Sequence, residues 1–146
     1  KALEKVVSVS PEIISHNIET VPSLYSEIRS KANYQISLSV LKNAKELNNK
    51  IYTKSGIMLG LGEKENEVIK VMEDLHEVRC DFLSIGQYLS PSKNHYPVKE
   101  YISPEKFEYY KEKAMNSGFK YVKSGPFVRS SYLAEEYLLS NNNKIP

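Results

Sequence analysis

Short apolar runs alternate with helix-like segments along this chain, and no other feature of the sequence restricts its fold as much. The strand-like runs cover residues 11–17, 50–62, 80–89 and 119–125. Strands that alternate with helices build a parallel sheet with right-handed crossover connections. The sequence therefore predicts an α/β fold, either a small open four-stranded domain or half of a larger barrel.

The helices are predicted from apolar residues that recur at helical spacing. They cover residues 33–47, 63–78 and 103–118, with a last helix over 130–140. The third has the clearest limits, because Ser103 can cap it, Pro104 suits its first position and Gly118 can end it. The first residues resemble the end of a helix. Because the chain begins at Lys1 without a methionine, we expect a fragment or a processed product, and this favours the half-barrel.

Composition excludes several classes of partner. A formal net charge of +2 over 146 residues is too small to indicate nucleic acid or an anionic membrane as a partner. No apolar run approaches the length of a membrane span. The single cysteine, Cys80, excludes an internal disulfide framework, and we expect it to be a buried thiol between a helix and a strand.

The unusual polar and glycine residues follow the predicted strands. They form four clusters, over residues 16–20, 59–65, 86–101 and 125–132. In parallel α/β folds, ligands bind at the carboxyl ends of the strands, where the loops converge. The opposite, helix-to-strand connections are plain. This asymmetry predicts a site at one edge of the sheet.

The first two clusters fit a small ligand. Asn17 and Glu19 alternate to one side of an extended chain and could both reach ribose hydroxyls, although a cap by Asn17 and Thr20 is an alternative. Glycines in the second cluster let the backbone approach a flat or anionic ligand, although an ordinary tight turn is equally consistent. A metal role for His16 is disfavoured, since no second His or Cys lies at ligand spacing.

The last two clusters leave more than one interpretation open. The long third loop offers Lys93, His95 and Lys99 either to an acidic partner surface or only to solvent. In the fourth cluster, Ser130 or Ser131 could cap a helix, or a serine oxygen could bind a metal centre. A serine nucleophile is not supported, because no Gly-x-Ser-x-Gly elbow is present.

Four separated segments carry a resemblance to a known family. They read SHNIETVPSLYSEIRSKANYQISLSVLKNAKE, TKSGIMLGLGE, IGQYLSPSKNHYPVKEYISPEKF and GFKYVKSGPFVRSSYLAEE. Over about residues 11–135 the chain resembles the C-terminal half of the lipoyl synthase family of radical S-adenosylmethionine enzymes. The resemblance implies part of a TIM-like (β/α) barrel of parallel strands over about residues 11–125, and a C-terminal helical extension over residues 126–146, which carries the Arg-Ser-Ser-Tyr motif.

The resemblance also implies an activity. The family inserts two sulfur atoms at C6 and C8 of an octanoyl chain held on a lysine of a lipoyl carrier domain. Its cofactors are S-adenosylmethionine, cleaved reductively to a hydrogen-abstracting radical, and two 4Fe–4S clusters, the auxiliary one being the sulfur donor. The implied partners are 2-oxoacid dehydrogenase E2 subunits, the glycine cleavage H protein and an electron donor such as ferredoxin or flavodoxin. The family works in bacterial cytoplasm, the mitochondrial matrix or plastids, including the apicoplast.

The family's cofactor residues can be carried over to matching positions. GIMLGLGE resembles the family's G-x-I-x-G-x-x-E strand, so Gly56, Gly60 and Glu63 are expected to shape the adenine side of the cofactor pocket. Asn17 and Glu19 match the residues near the ribose and methionine parts of S-adenosylmethionine.

Two further positions match the family, and one departs from it. Arg29 matches an arginine expected to meet a carboxylate. Ser131, with Ser130 as the alternative, matches the oxygen ligand of the auxiliary cluster. Leu133 stands where the family usually has histidine, so no role is carried over to that position. We assign no catalytic residue to this chain.

The chain departs from the family in its cysteines. Both cysteine triplets that hold the clusters are absent, and Cys80 matches neither. We therefore predict that this chain alone holds no cluster and is inactive. The alternatives are a free-standing α/β nucleotide-binding module and a non-catalytic fragment that docks a carrier domain through residues 93–101.

Overall fold

The computed structural model describes residues 2–129 and has the predicted alternation of strands and helices. Helix α1 (Ala2–Ser8) precedes strand β1 (Ile13–Ser15), in agreement with the helix-like start of the sequence. The elements that follow are a 3-10 turn (Pro22–Leu24), α2 (Tyr25–Ile28), α3 (Tyr34–Leu47), β2 (Tyr52–Leu59), α4 (Glu65–Glu77), β3 (Phe82–Gln87), α5 (Pro104–Ser117) and β4 (Tyr121–Ser124). The helix predicted over 130–140 lies outside the described residues.

The four strands form one parallel sheet in the order β1-β2-β3-β4. Ile13 is aligned with Tyr52, Lys54 with Phe82, and Phe82 with Tyr121. Each strand therefore lies beside the next one in sequence, with helices as the crossovers. The prediction of an α/β fold is confirmed, and the sheet is open between β1 and β4, which is consistent with part of a barrel.

The helices cover one face of this sheet. Alternate strand side chains pack with α3, α4 and α5 in one buried apolar cluster; they are Ile57, Leu59, Leu83, Ile85 and Val122. Because neighbouring residues of a strand point to opposite faces, Gly56, Met58, Ser84 and Gly86 belong to the other face. The small residues on that face leave room above the sheet.

The ends of α5 are built as the sequence predicts. The Ser103 hydroxyl accepts a hydrogen bond from the Lys106 N–H (3.1 Å), and Pro104 is the first helical residue. Gly118 ends the helix with a left-handed φ of 118°. These contacts satisfy groups that a helix end otherwise leaves unpaired.

The amino ends of the strands are closed by a buried ion pair. Lys45 Nζ lies 2.6 Å from Asp81 Oδ2 and donates to the Ile51 carbonyl (2.9 Å). The same Asp81 oxygen accepts the Thr53 N–H at 2.8 Å. Cys80 is buried beside this pair, as predicted, and burial raises the pKa of its thiol to about 12.

Candidate functional site

A cavity of about 210 Å³ opens where the small residues of β2 and β3 meet the loops that follow the strands. Its walls are formed by Glu19, Gly56, Ile57, Met58, Ser84, Gly86, Gln87, Leu89, Val128 and Arg129. Segments that follow β1, β3 and β4 thus meet over the middle strands. This lies in the half of the sheet where the sequence predicts a site.

Glu19 lines the cavity and has a strained backbone conformation. Its φ of 72° lies in the left-handed region that non-glycine residues rarely adopt. Its N–H donates to the Gly56 carbonyl (2.9 Å), and its carbonyl accepts the Met58 N–H (2.8 Å). Burial raises the pKa of the Glu19 carboxyl, while the nearby Arg29 charge lowers it. Such strain, held by surrounding bonds, is typical of functional positions.

Gly56 and Gly86 form a floor without side chains. Gly56 lines the cavity directly beneath the segment that carries Glu19. A Cβ atom on Gly86 would lie 2.4 Å from the Val128 carbonyl oxygen. Gly86 is therefore what allows the segment after β4 to lie across β3 and bring Arg129 to the cavity.

Gly60 and Glu63 shape the turn after β2 and are not among the cavity-lining residues. The Glu63 carboxylate accepts the N–H groups of Gly60 and Leu61, both at 3.0 Å. Gly60 has a φ of 96°, and a Cβ there would lie 2.3 Å from Gln87 Nε2 and 2.4 Å from the Glu100 carbonyl oxygen. These two predicted residues organise the turn from within.

Arg29 is not among the cavity-lining residues and lies against the segment that follows β1. Its Nη1 donates long hydrogen bonds to the carbonyls of Asn17 and Ile18, both at 3.4 Å, and to the Tyr25 hydroxyl at 3.3 Å. In these contacts Arg29 holds the segment that positions Asn17 and Glu19. Burial and the Arg29 charge both lower the pKa of His16.

The alternative of a helix cap by Thr20 is not observed. The 3-10 turn starts from Val21 without a side-chain cap, and Thr20 is fully buried. Within residues 2–129, the Thr20 hydroxyl makes no hydrogen bond. Asn17 is half-buried next to Ile18, whose N–H donates to Ser55 Oγ at 3.2 Å.

Gln87 lines the cavity and is 5% exposed, and its part in the site was not predicted from the sequence. It ends a strand in which every residue is buried. A polar side chain in such a strand usually has a specific hydrogen-bonding role. In the sequence, the corresponding signal is a glutamine near the end of the mostly apolar run over residues 80–89.

The described residues do not include a metal centre. Among residues 2–129, no group of three or more His, Cys, Asp or Glu side chains is arranged to hold a metal ion. The predicted cluster ligand Ser131 and its alternative Ser130 lie outside the described residues. No helix in the described part of the chain is long and apolar enough to cross a membrane.

The chain is similar to several lipoyl synthases. No family model matches the chain. The lipoyl synthase of Caldicellulosiruptor saccharolyticus is 64% identical over 136 residues, covering 93% of this chain and 48% of that protein. The lipoyl synthases of Alkaliphilus metalliredigens and a Geobacter species are 59% and 57% identical; each match covers 94% of this chain, and 48% and 47% of the respective relative. The chain therefore spans about half the length of these relatives.

Proposed function

The chain is a relative of the lipoyl synthases over nearly its whole length, and from this premise we propose that it supplies the C-terminal half of such an enzyme. The parent protein would insert two sulfur atoms at C6 and C8 of an octanoyl chain on a lipoyl carrier domain. The supporting observation is that Glu19 and Gly56, from two separate family motifs, line one cavity.

The cavity suits part of S-adenosylmethionine. Its glycine floor allows close approach of a flat ring, Glu19 offers a carboxylate to hydroxyl or amino groups, and Met58 offers an apolar wall. Its volume of about 210 Å³ is below the roughly 300–1,000 Å³ of complete small-molecule sites. This chain would therefore provide one wall, and the other half of the barrel the opposite one.

Each predicted residue has a role in this proposal. Asn17 and Glu19 bind the ribose and methionine parts of the cofactor, and Gly56 admits its adenine side. Gly60 and Glu63 fix the turn beside it, and Arg29 holds the segment that carries the first two residues. When bound, S-adenosylmethionine supplies the oxidising power to remove hydrogen from an unactivated carbon.

The two 4Fe–4S clusters would depend on cysteines elsewhere in the parent protein, because this chain has only Cys80. Ser131 would provide an oxygen ligand to the auxiliary cluster. A hard alkoxide binds iron–sulfur centres less well than thiolate, which suits a cluster that is dismantled as it donates sulfur. Because the cysteine ligands lie elsewhere, residues 1–146 alone would be inactive. In this proposal, residues 11–125 form half of the barrel and residues 126–146 form its C-terminal extension.

The carrier partners follow from the proposed activity. They are octanoylated E2 subunits and H protein, with ferredoxin or flavodoxin as electron donor. The loops that follow β3 and β4 carry three exposed apolar side chains at this edge of the sheet, Leu89, Tyr101 and Phe127, and Leu89 also lines the cavity. That edge is the proposed approach of the carrier's acyl-lysine.

A binding and reconstitution experiment tests the proposal. In the longer protein that contains this chain, Glu19→Gln should weaken S-adenosylmethionine binding about tenfold or more, as expected for the loss of a charged hydrogen-bond acceptor. Glu46→Gln, an exposed change on α3, is the matched control. Ser131→Ala should alter one of two reconstituted clusters. Unchanged cofactor affinity in Glu19→Gln, or unchanged clusters in Ser131→Ala, would refute the corresponding role.

A free-standing nucleotide-binding module is the second candidate. It is favoured by the fact that one cavity forms within residues 19–129 alone. Titrating this chain with adenosine and S-adenosylhomocysteine separates the two proposals. Tight binding without the other half supports the module, whereas binding that requires the longer protein supports the half-barrel.

A further inference from the structure

The Gln87 side chain is hydrogen-bonded to both ends of the loop that follows β3. Its Nε2 donates to the carbonyls of Tyr88 (2.9 Å) and Glu100 (3.0 Å), and its Oε1 accepts the Ile102 N–H (2.9 Å). These three bonds hold both ends of the β3–α5 loop (residues 88–103) to the end of β3. All three partners are main-chain groups, and the side chain is 5% exposed.

The same loop is also bonded, near its C-terminal end, to the first residue of the glycine turn (residues 60–63). The Gly60 carbonyl accepts the N–H groups of Lys99 (2.8 Å) and Glu100 (3.3 Å). The Gly60 backbone also lies so close to Gln87 that even a methyl group would collide with Nε2. The carboxamide is thus packed between the turn and the loop and bonded to the loop.

We propose that Gln87 is a positioning residue that makes the glycine turn and the β3–α5 loop one rigid unit, and that this unit fixes the wall of the cavity formed by Gln87 and Leu89. Without the carboxamide, the loop is held less firmly near residues 99 and 100. The hydrogen bonds from Lys99 and Glu100 to the Gly60 carbonyl should then open more often. The link from this wall to S-adenosylmethionine affinity rests on the proposed function. The rigid unit itself does not.

Amide hydrogen exchange tests the unit directly, in this chain or in the longer protein that carries it. Gln87→Leu should speed exchange about tenfold or more at the amides of Lys99 and Glu100, as expected when one or more net hydrogen bonds are lost. Gln87 does not bond these two amides, so their response reports coupling. Gly60 and Leu61, held by Glu63, should also exchange faster. No acceleration at these four amides would overturn the proposal.

Two further variants separate hydrogen bonding from shape. Gln87→Glu keeps the size of the side chain but removes both N–H donors, so at neutral pH it should resemble Gln87→Leu. If it exchanges like the wild type, the two bonds donated by the carboxamide do not hold the unit and the positioning role is wrong. Tyr96→Phe removes the outer bond of the same loop to Glu27 (3.1 Å) and should leave the glycine turn protected. Equal loosening of the turn in Tyr96→Phe would show that Gln87 has no special role.

Binding in the longer protein provides the functional measurement. Gln87→Glu should weaken S-adenosylmethionine about tenfold, whereas Tyr96→Phe should not. If the wild type binds no S-adenosylmethionine, the proposed function fails while the exchange result still decides the role of Gln87. If exchange responds but affinity does not, the rigid unit exists and its link to the cofactor is refuted.

Discussion

The two ends of the strands are built by opposite means. At the amino ends, Lys45 and Asp81 form a pair whose side chains are 9% and 7% exposed, and each has a further main-chain partner. At the carboxyl ends, Glu19 is strained, glycines replace side chains, and Phe127 is 90% exposed.

This difference separates stability from binding within one sheet. At the amino ends, the buried charges of Lys45 and Asp81 are satisfied by each other and by main-chain groups. The carboxyl ends leave a carboxylate, a guanidinium and a bare floor around a cavity. Parallel α/β proteins divide their strands in this way, because loops after the strands can vary without disturbing the opposite end. The following predictions test that division, from the largest expected effect to the smallest.

Asp81→Ala should have the largest effect on stability. It leaves the Lys45 ammonium buried without its counter-charge, which costs about 3–5 kcal/mol of unfolding free energy. Urea unfolding followed by circular dichroism measures the loss. Glu65→Gln breaks the exposed pair with Lys106 and should leave the midpoint nearly unchanged. Equal effects of the two changes would contradict the special role of the amino ends.

Gly60→Ala should destabilise the carboxyl end by about 3 kcal/mol, because it combines a strained φ with a collision against the Glu100 main chain. Gly62→Ala is the matched control. Gly62 has a similar φ of 107°, but the nearest atom to its added Cβ would be 3.7 Å away. It should cost only about 1 kcal/mol. The same unfolding assay compares them, and equal losses would mean that contact with Gln87 and residue 100 is unimportant.

Glu19→Gly should not destabilise the chain, although it removes a partly buried side chain. Glycine adopts a positive φ without strain, so the unfolding free energy should stay unchanged or rise by up to about 1 kcal/mol. S-adenosylmethionine binding by the longer protein should fall in the same variant. A clear loss of stability would show that Glu19 supports the fold and is not held there for binding.

The smallest expected effect is the contribution of the Glu19 carboxyl to the pH dependence of stability. Because the pKa of Glu19 is raised in the folded chain, the folded state binds this proton more tightly than the unfolded state does. Wild-type stability relative to Glu19→Gln should therefore fall as pH rises from the ordinary value of 4.5 through the raised pKa. Urea unfolding of both proteins at several pH values measures this difference. If the wild type instead becomes more stable relative to Glu19→Gln as pH rises, the pKa of Glu19 is not raised in the folded chain.

Much of the fold follows from local sequence signals. Ser103, Pro104 and Gly118 mark α5 because capping depends on neighbouring residues. The parallel order of the strands follows from the alternation of elements. The short helix α2 was missed because its few residues carry no periodic pattern.

The site was predictable in place more than in detail. Glu19 could be located from the end of β1 and Gly56 from its place in the β2 motif. Glu63 instead bonds its own turn, and only the backbone path of that turn decides this. Gln87 meets the carbonyl of residue 100, which is 13 residues away in sequence. No local pattern encodes such a distant main-chain partner.

The contacts of Gln87 have a consequence for how sequences of this kind can diverge. Main-chain groups are the same in every residue type. Because Gln87 bonds only two carbonyls and one N–H, its contacts do not restrict which residues occupy positions 89–98. Related proteins could therefore carry different residues at these positions, and bind different partners, while the loop keeps the same backbone path.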